Sequence, residues 1–169
     1  GDRQYYLVDN GGLILETPAS SFRIPGTTGK IILYGVYPYI LTDIGLYLFD
    51  GKEIAEIYKP TKQNEHFLDG LLKQSRLFIL TSAYRLVALS LDGKIVNEAS
   101  SNQIGGFKLL STDTAVYAVG RNKVAVVFLS PKPSEGSYID LKEYGEVIDA
   151  QIRNEEMMIL TSENGQYAL

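Results

Sequence analysis

One histidine, His66, and no cysteine set narrow limits on the chemistry this chain can carry. Without thiols there is no disulfide, thiolate zinc site, iron–sulfur cluster or cysteine nucleophile. One imidazole cannot build a multi-histidine metal site, and a Ser/His/Asp triad would have to pass through His66. Ser and Asp are too frequent for their spacing to select triad partners, and His66 sits in a polar stretch, Lys59–Asp69, that reads as a loop. No Gly-rich phosphate loop, nucleophile elbow or metal-ligand motif occurs. The expectation is a chain with no catalytic residue, no metal and no cofactor.

Other residues have the right types for binding. Asp9, Asp50 and Asp92 stand 41 and 42 residues apart. A symmetric carboxylate ring for Ca²⁺ would show such a recurrence. Each Asp lies close to Gly in a turn signal, however, where a carboxylate caps local N–H groups, and turn chemistry is the reading adopted. Tyr34, Tyr37 and Tyr39 cluster around Pro38 in a chain with 12 Tyr. Tyr rings stack on a sugar or peptide, or pack between structural units.

A repeat positions these residues. Four ungapped windows align: Ile31–Thr42, Gly70–Thr81, Phe107–Ala118 and Ala150–Thr161. Their third column is Leu33, Leu72, Leu109 and Ile152, and Ile-Leu-Thr recurs at 40–42, 79–81 and 159–161. After the windows come Leu46–Ile57 and Ala88–Glu98, sharing Asp-Gly-Lys at 50–52 and 92–94, a two-residue hairpin signal whose Asp and Gly are both expected at positive φ. Tyr5–Glu16 matches the same element, and a third internal copy is degenerate, running from Val124–Leu129 through Pro131–Gly136 to Ser137–Leu141. Each unit of about 40 residues reads as four short strands, A to D. Helix content should be very low, since Gly136 and Gly145 interrupt the best helical candidate, Glu135–Glu146.

Four-stranded units of this length are the signature of an all-β, β-propeller-like array of antiparallel blades. Leu77–Glu98 resembles a repeat of the pyrroloquinoline-quinone-type (YVTN/WD-like) propellers, with Leu46–Ile57 a second match. The Trp that usually follows the last Gly turn of that repeat is missing, so the resemblance implies architecture and carries over neither quinone binding nor dehydrogenase activity. The units are expected at 5–30 (partial), 31–69, 70–106, 107–149 and 150–169 (partial), within one propeller domain or segment. The N-terminus supplies strands C and D and the C-terminus A, B and C, seventeen strands in all. Four closed blades leave one strand over, so the chain is expected to be part of a larger or oligomeric ring. A β-sandwich would also give short strands, but it leaves the recurrent Ile-Leu-Thr unexplained.

In a propeller, unit-to-unit loops and B–C turns share one face, and binding concentrates on such loops. The unit-to-unit loops are Pro18–Gly29, Lys59–Asp69, Ala99–Gly106 and Pro131–Glu146; the B–C turns are Asp43–Gly45, Ser82–Arg85, Gly120–Lys123 and Ser162–Gln166. Their bulky members Phe22, Arg23, Tyr84, Arg85, Arg121 and Tyr138 are the candidate partner contacts. Tyr37 is expected to face water, because its column otherwise holds Arg76, Asp113 and Glu156. Lys73 and Arg153 share a column with Tyr34 and Leu110, and as channel residues they would attract an anion.

Net charge is −4, with 45% hydrophobic and 21% charged residues, the balance of a folded chain. The absence of basic clusters argues against nucleic acid as a partner. No apolar run reaches the length of a membrane-spanning helix. The chain begins at Gly1, so the native N-terminus is expected to have been removed; a cytoplasmic location is mildly favoured and a secreted one stays open. Abundant Ile, Tyr, Lys and Glu without Cys suggest a thermophile. The expected function is a non-catalytic scaffold that binds a protein partner, or further copies of itself, through the loop face. The alternatives are an enzymatic or ligand-binding propeller with an axial pocket completed outside this chain, and a sugar-binding module using Tyr34, Tyr37 and Tyr39.

Overall fold

The computed structural model describes residues 5–9, 12–100, 106–129, 134–163 and 166–168. Apolar residues alternate along short runs broken by turn formers, and each run becomes a strand. β1 (Tyr6–Asp9), β2 (Leu13–Glu16) and β3 (Ser21–Ile24) form the first sheet. β4 (Gly29–Tyr34), β5 (Tyr37–Thr42), β6 (Leu46–Phe49) and β7 (Ile54–Tyr58) form the second. The third contains β8 (Phe67–Lys73), β9 (Arg76–Thr81), β10 (Arg85–Leu89) and β11 (Ile95–Ser100). The fourth contains β12 (Lys108–Ser111), β13 (Ala115–Val119), β14 (Lys123–Phe128) and β15 (Ser134–Asp140). β16 (Glu146–Arg153), β17 (Glu156–Glu163) and β18 (Gln166–Ala168) form the fifth. Each sheet pairs its strands antiparallel in chain order, the blade connectivity of a β-propeller.

The core lies between blades. Blade 2 turns Ile32, Tyr39, Leu41 and Leu46 toward blade 3, which answers with Phe67, Leu77, Ile79, Val87 and Leu89. Blade 3 turns Phe78, Leu80, Leu86 and Ala88 toward Leu109, Val116, Ala118, Ala125 and Val127 of blade 4. Period-two alternation therefore aims Leu77 and Ile79 of β9 at the preceding blade and Phe78 and Leu80 at the next. The first strands β4, β8, β12 and β16 touch one another in succession and form the inner wall.

Three expectations are corrected. Among the described residues the first blade has three strands, because β3 lies within the stretch Pro18–Gly29 assigned to a loop; the described strands number eighteen, and Tyr5–Glu16 supplies B and C rather than C and D. In the fourth blade, Thr112 donates its N–H to Ala115 O (3.0 Å), which closes the A–B turn around Asp113-Thr114. That register shifts the repeat by two residues: Leu109, not Phe107, is equivalent to Ile31, Gly70 and Ala150, and Thr112, not Leu110, to Tyr34, Lys73 and Arg153. The Asp-Gly hairpins place only their glycines at positive φ, Gly51 at 98° and Gly93 at 83°. The one helical turn among the described residues is a 3₁₀ segment, Lys142–Tyr144, within the stretch considered for a helix.

Candidate functional site

Backbone bonds join the B–C turns to the unit-to-unit loops. Phe67 N–H, opening β8, donates to Asp43 O in the preceding blade's B–C turn (2.9 Å), and Val147 N–H, opening β16, donates to Arg121 O (2.6 Å). Within blade 2, Asp43 Oδ1 accepts from Thr27 N (2.7 Å) and Oδ2 from the Thr27 hydroxyl (2.9 Å). Burial alone would raise the Asp43 pKa, but these donors outweigh it and hold the carboxyl below its usual range. Ser82 Oγ accepts His66 N–H (2.9 Å), so His66 serves its loop through its backbone while its side chain is exposed. Loops and B–C turns thus share one face, the loop face. The 101–105 part of the Ala99–Gly106 loop, residues 131–133, and 164–165 of the last B–C turn lie outside the described residues.

At the inner rim of this face, correct register reveals a charged column: Lys30, Asp69, Lys108 and Asp149. Lys30 pairs with Asp69 and Lys108 with Asp149, both at 2.6 Å, bridging neighbouring blades. The preceding residues are Gly29, Leu68, Phe107 and Ile148. Leu68 and Ile148 are β-bulge residues, left unpaired where the ladder skips from Phe67 to Asp69 and from Val147 to Asp149. Bulging keeps them out of the interblade core, and Leu68, Phe107 and Ile148 remain 45%, 40% and 46% exposed. Ile44, Tyr84 and Tyr144 add exposed apolar surface from the surrounding turns and loops. Two clefts open here, one of about 360 Å³ lined by Arg121, Asn122, Lys142, Gly145 and Glu146, and one of about 140 Å³ beside Lys30, Asp43 and Leu68.

Tyr84 is exposed in its B–C turn at φ 58°. Arg121 is also exposed and lies 3.4 Å from Glu146. Arg85, expected to be exposed, is buried. Its Nε and Nη2 donate to Glu98 (2.6 and 2.7 Å), and Nη1 donates to both oxygens of Glu65 (2.8 Å each) and to the Thr61 hydroxyl (2.9 Å). Burial would push the Glu65 carboxyl up, yet the Thr81 hydroxyl, Lys62 N–H and Arg85 hold it below the usual range. Glu98 is lowered chiefly by its bond from Arg85. This cluster clamps the 61–66 loop, the Tyr84 turn and β11 together, so Arg85 supports the face from behind. Phe22 lies on β3 and packs on Phe49 with ring centroids 4.9 Å apart. Arg23 is exposed on β3, and Tyr138 is exposed on the outer strand β15, so neither lies in a loop.

The remaining candidates lie elsewhere. Lys73 and Arg153 end inner strands on the opposite face, two blades apart; Lys73 is paired with Asp113 at 2.8 Å, and the structure does not bring the two cations together. Tyr39 is buried with its hydroxyl donating to Leu91 O (3.0 Å), while Tyr37 is exposed and lines a cleft of about 340 Å³ with Tyr5 and Phe49 on that opposite face. The recurrent Asp residues serve turns: Asp9 accepts Gly12 N–H, Asp50 accepts Lys52 and Glu53 N–H, and Asp92 binds Lys94 and Ser90, which lower its pKa to about 2. Among the described residues no three His, Asp or Glu side chains gather to hold a metal, and no helix is long and apolar enough to cross a membrane.

No protein-family model matches the chain, and no curated protein matches it. Solved structures do. The chain is similar to the AfRom2 CNH domain (TM-score 0.68, 10% identity, covering 98% of this chain and 58% of that one). It is also similar to the N-terminal domain of Nup159 (0.61, 13%, 96% and 57%) and to BamB from Moraxella catarrhalis (0.57, 13%, 81% and 48%). At these identities the likeness shows the fold, a β-propeller. The chain spans about half the length of the structures it matches.

Proposed function

We propose that this propeller segment is a non-catalytic scaffold whose loop face binds a protein partner. The observation that carries the reading is the ring of exposed Leu68, Phe107 and Ile148 at the inner rim, continued outward by Ile44, Tyr84 and Tyr144. Exposed apolar groups recurring at one position of successive inner strands on a rigid frame mark an interaction site. The charges beneath them are neutralised in pairs, so the rim suits an apolar anchor with a polar surround. Tyr84 and Arg121 join the contact set as residues of the types that dominate interface energetics. The resemblance of Leu77–Glu98 to the pyrroloquinoline-quinone-type repeat supports a place near those propellers, with the scaffold rather than the chemistry retained. One matched structure is described as the mitotic checkpoint complex and another as Dbp5 bound to Nup159, which are protein assemblies and favour this class of function.

Affinity capture from the source organism with the wild type and with a Leu68→Glu/Phe107→Glu/Ile148→Glu variant tests the proposal. Specific partners should be lost in the variant and kept by a Leu33→Glu/Val36→Glu control on the opposite face. Equal recovery with both variants would sink the proposal.

A further inference from the structure

We infer that the cleft between blades 1 and 2, on the face opposite the loop face, is a carbohydrate site that holds one pyranose ring of a neutral saccharide. The inference goes beyond the loop-face reading and does not depend on it. The cleft has a volume of about 340 Å³, within the range of small-ligand sites. Tyr5, Tyr37 and the Pro18 ring line it, and the buried Phe49 completes the apolar part. Of the three tyrosines clustered around Pro38, only Tyr37 belongs to this site. Tyr39 is buried with its hydroxyl on Leu91 O, and Tyr34 lies outside the described lining.

The walls are fixed before a ligand arrives. The Tyr5 hydroxyl donates to Val36 O in the A–B turn of blade 2 (3.0 Å), which ties its ring across the two blades. Tyr5 meets Phe49 edge-on with ring centroids 6.0 Å apart, and Phe22 backs Phe49. The C–D turn of blade 1 is closed by Thr17 N–H donating to Ser20 O (2.9 Å) and by Thr17 Oγ1 accepting Ser20 N–H (3.0 Å), which leaves Pro18 exposed at the tip. In the C–D turn of blade 2, Asp50 Oδ1 accepts Lys52 N–H (2.8 Å) and Glu53 N–H (2.9 Å). That orients the carboxylate, while no other described residue donates to Oδ2. The Glu53 and Lys52 N–H groups also hold the Asp50 carboxyl below its usual range, so it is ionised and Oδ2 can only accept.

The chemistry of this lining selects the ligand. Asp50 and Lys52 are the charged members of the described lining, one of each sign, so an anion would meet the carboxylate and a cation the ammonium. Hydroxyl groups suit both, donating to Asp50 and accepting from Lys52, while the C–H face of a sugar ring lies against a tyrosine. A proline-rich peptide would fill the same aromatic walls. Its prolines carry no N–H, however, and would leave Asp50 Oδ2 without a donor.

The test is an array of neutral, sialylated, sulfated and uronate-bearing glycans, with proline-rich peptides printed beside them, probed with the intact protein. The wild type should bind at least one neutral glycan, and isothermal titration with that glycan gives its affinity. Tyr37→Ala should weaken binding about tenfold or more, the scale of a lost aromatic stacking contact. Asp50→Asn keeps an oxygen for the Lys52 and Glu53 N–H groups but turns the second acceptor into a donor, and it should weaken binding comparably. Circular dichroism checks that both variants are folded. Tyr144→Ala removes an exposed tyrosine from the loop face and should bind as the wild type does. Binding to no glycan, to acidic glycans only or to the peptides instead overturns the inference. So does a neutral glycan that Asp50→Asn or a folded Tyr37→Ala binds as tightly as the wild type, or that Tyr144→Ala loses equally.

Discussion

Replacing Arg85 by Met isolates the buried ion cluster. The substitution keeps an unbranched apolar stem but removes the bonds to Glu65, Glu98 and Thr61. The Glu65 side chain is wholly buried and would be left without its cation, and breaking one side of a buried pair costs about 3–5 kcal/mol. Glu98 is a third exposed, so its half adds no more than about 1 kcal/mol. The expected loss is about 4 kcal/mol, which at an m-value of about 2 kcal/mol/M moves a urea midpoint by roughly 2 M. The transition is read by far-UV circular dichroism and by tyrosine emission, which is free of tryptophan because the chain has none. Both carboxyls are held low in the folded state, so the stability they contribute is present above the unfolded Glu pKa of about 4.3 and is lost as pH falls through their folded values. In Arg85→Met, uncompensated burial instead raises Glu65, so acidification relieves the variant and the gap to wild type narrows from pH 7 to pH 4. Adding Glu65→Leu should recover most of the loss, since an apolar replacement of the whole pair is tolerated. A midpoint shift below about 0.5 M at pH 7, or a gap that widens on acidification, would refute the assignment.

The other expectations concern single blades. Asp69→Ala strands Leu109 N–H and Lys30 and should cost about 2–3 kcal/mol, whereas Lys108→Ala, at an exposed pair, should leave the 169-residue chain's melting midpoint nearly unchanged; calorimetry compares the two. Gly93→Ala drives a Cβ into Ile57 O at φ +83° and should cost at least about 2 kcal/mol. Gly35→Ala, at φ +62° with open space around it, should cost only about 1 kcal/mol, so equal losses would discount the blade 2–blade 3 contact. The Tyr58 hydroxyl is buried with no hydrogen bond to a described residue, so Tyr58→Phe should match or exceed wild-type stability by about 1 kcal/mol in the same denaturation assay.

Much of the propeller was legible because Ile-Leu-Thr closes β5 and β9 and recurs within β17, and in β5 and β9 its Ile packs backward and its Leu forward between blades. The register of blade 4 was not legible. Its A–B turn, Asp113-Thr114, lacks the positive-φ residues seen at Gln74-Ser75 and Asn154-Glu155, and Gly120 replaces the terminal Thr, so the best letter match fell two residues away. That slip hid the Lys30, Asp69, Lys108, Asp149 column and the apolar rim beside it. β3 was hidden because Pro18 and Pro25-Gly26 bracket only a few residues. Arg85 was misjudged because its burial depends on Glu65 and Glu98, 20 and 13 residues away, and Arg is placed outside by type alone. The column's signal in the sequence is a charged residue of alternating sign near the start of each inner strand, as in Lys30-Ile31, Asp69-Gly70, Lys108-Leu109 and Asp149-Ala150.

The loop face as the working surface is tested most directly by amide hydrogen exchange on the complex with a captured partner. Protection should appear at 67–69, 107–109 and 146–149 and in the turn around Tyr84, with the A–B turns at 35–36, 74–75 and 154–155 unchanged. Protection of those opposite turns, with the inner rim exchanging as in the free chain, would contradict the account.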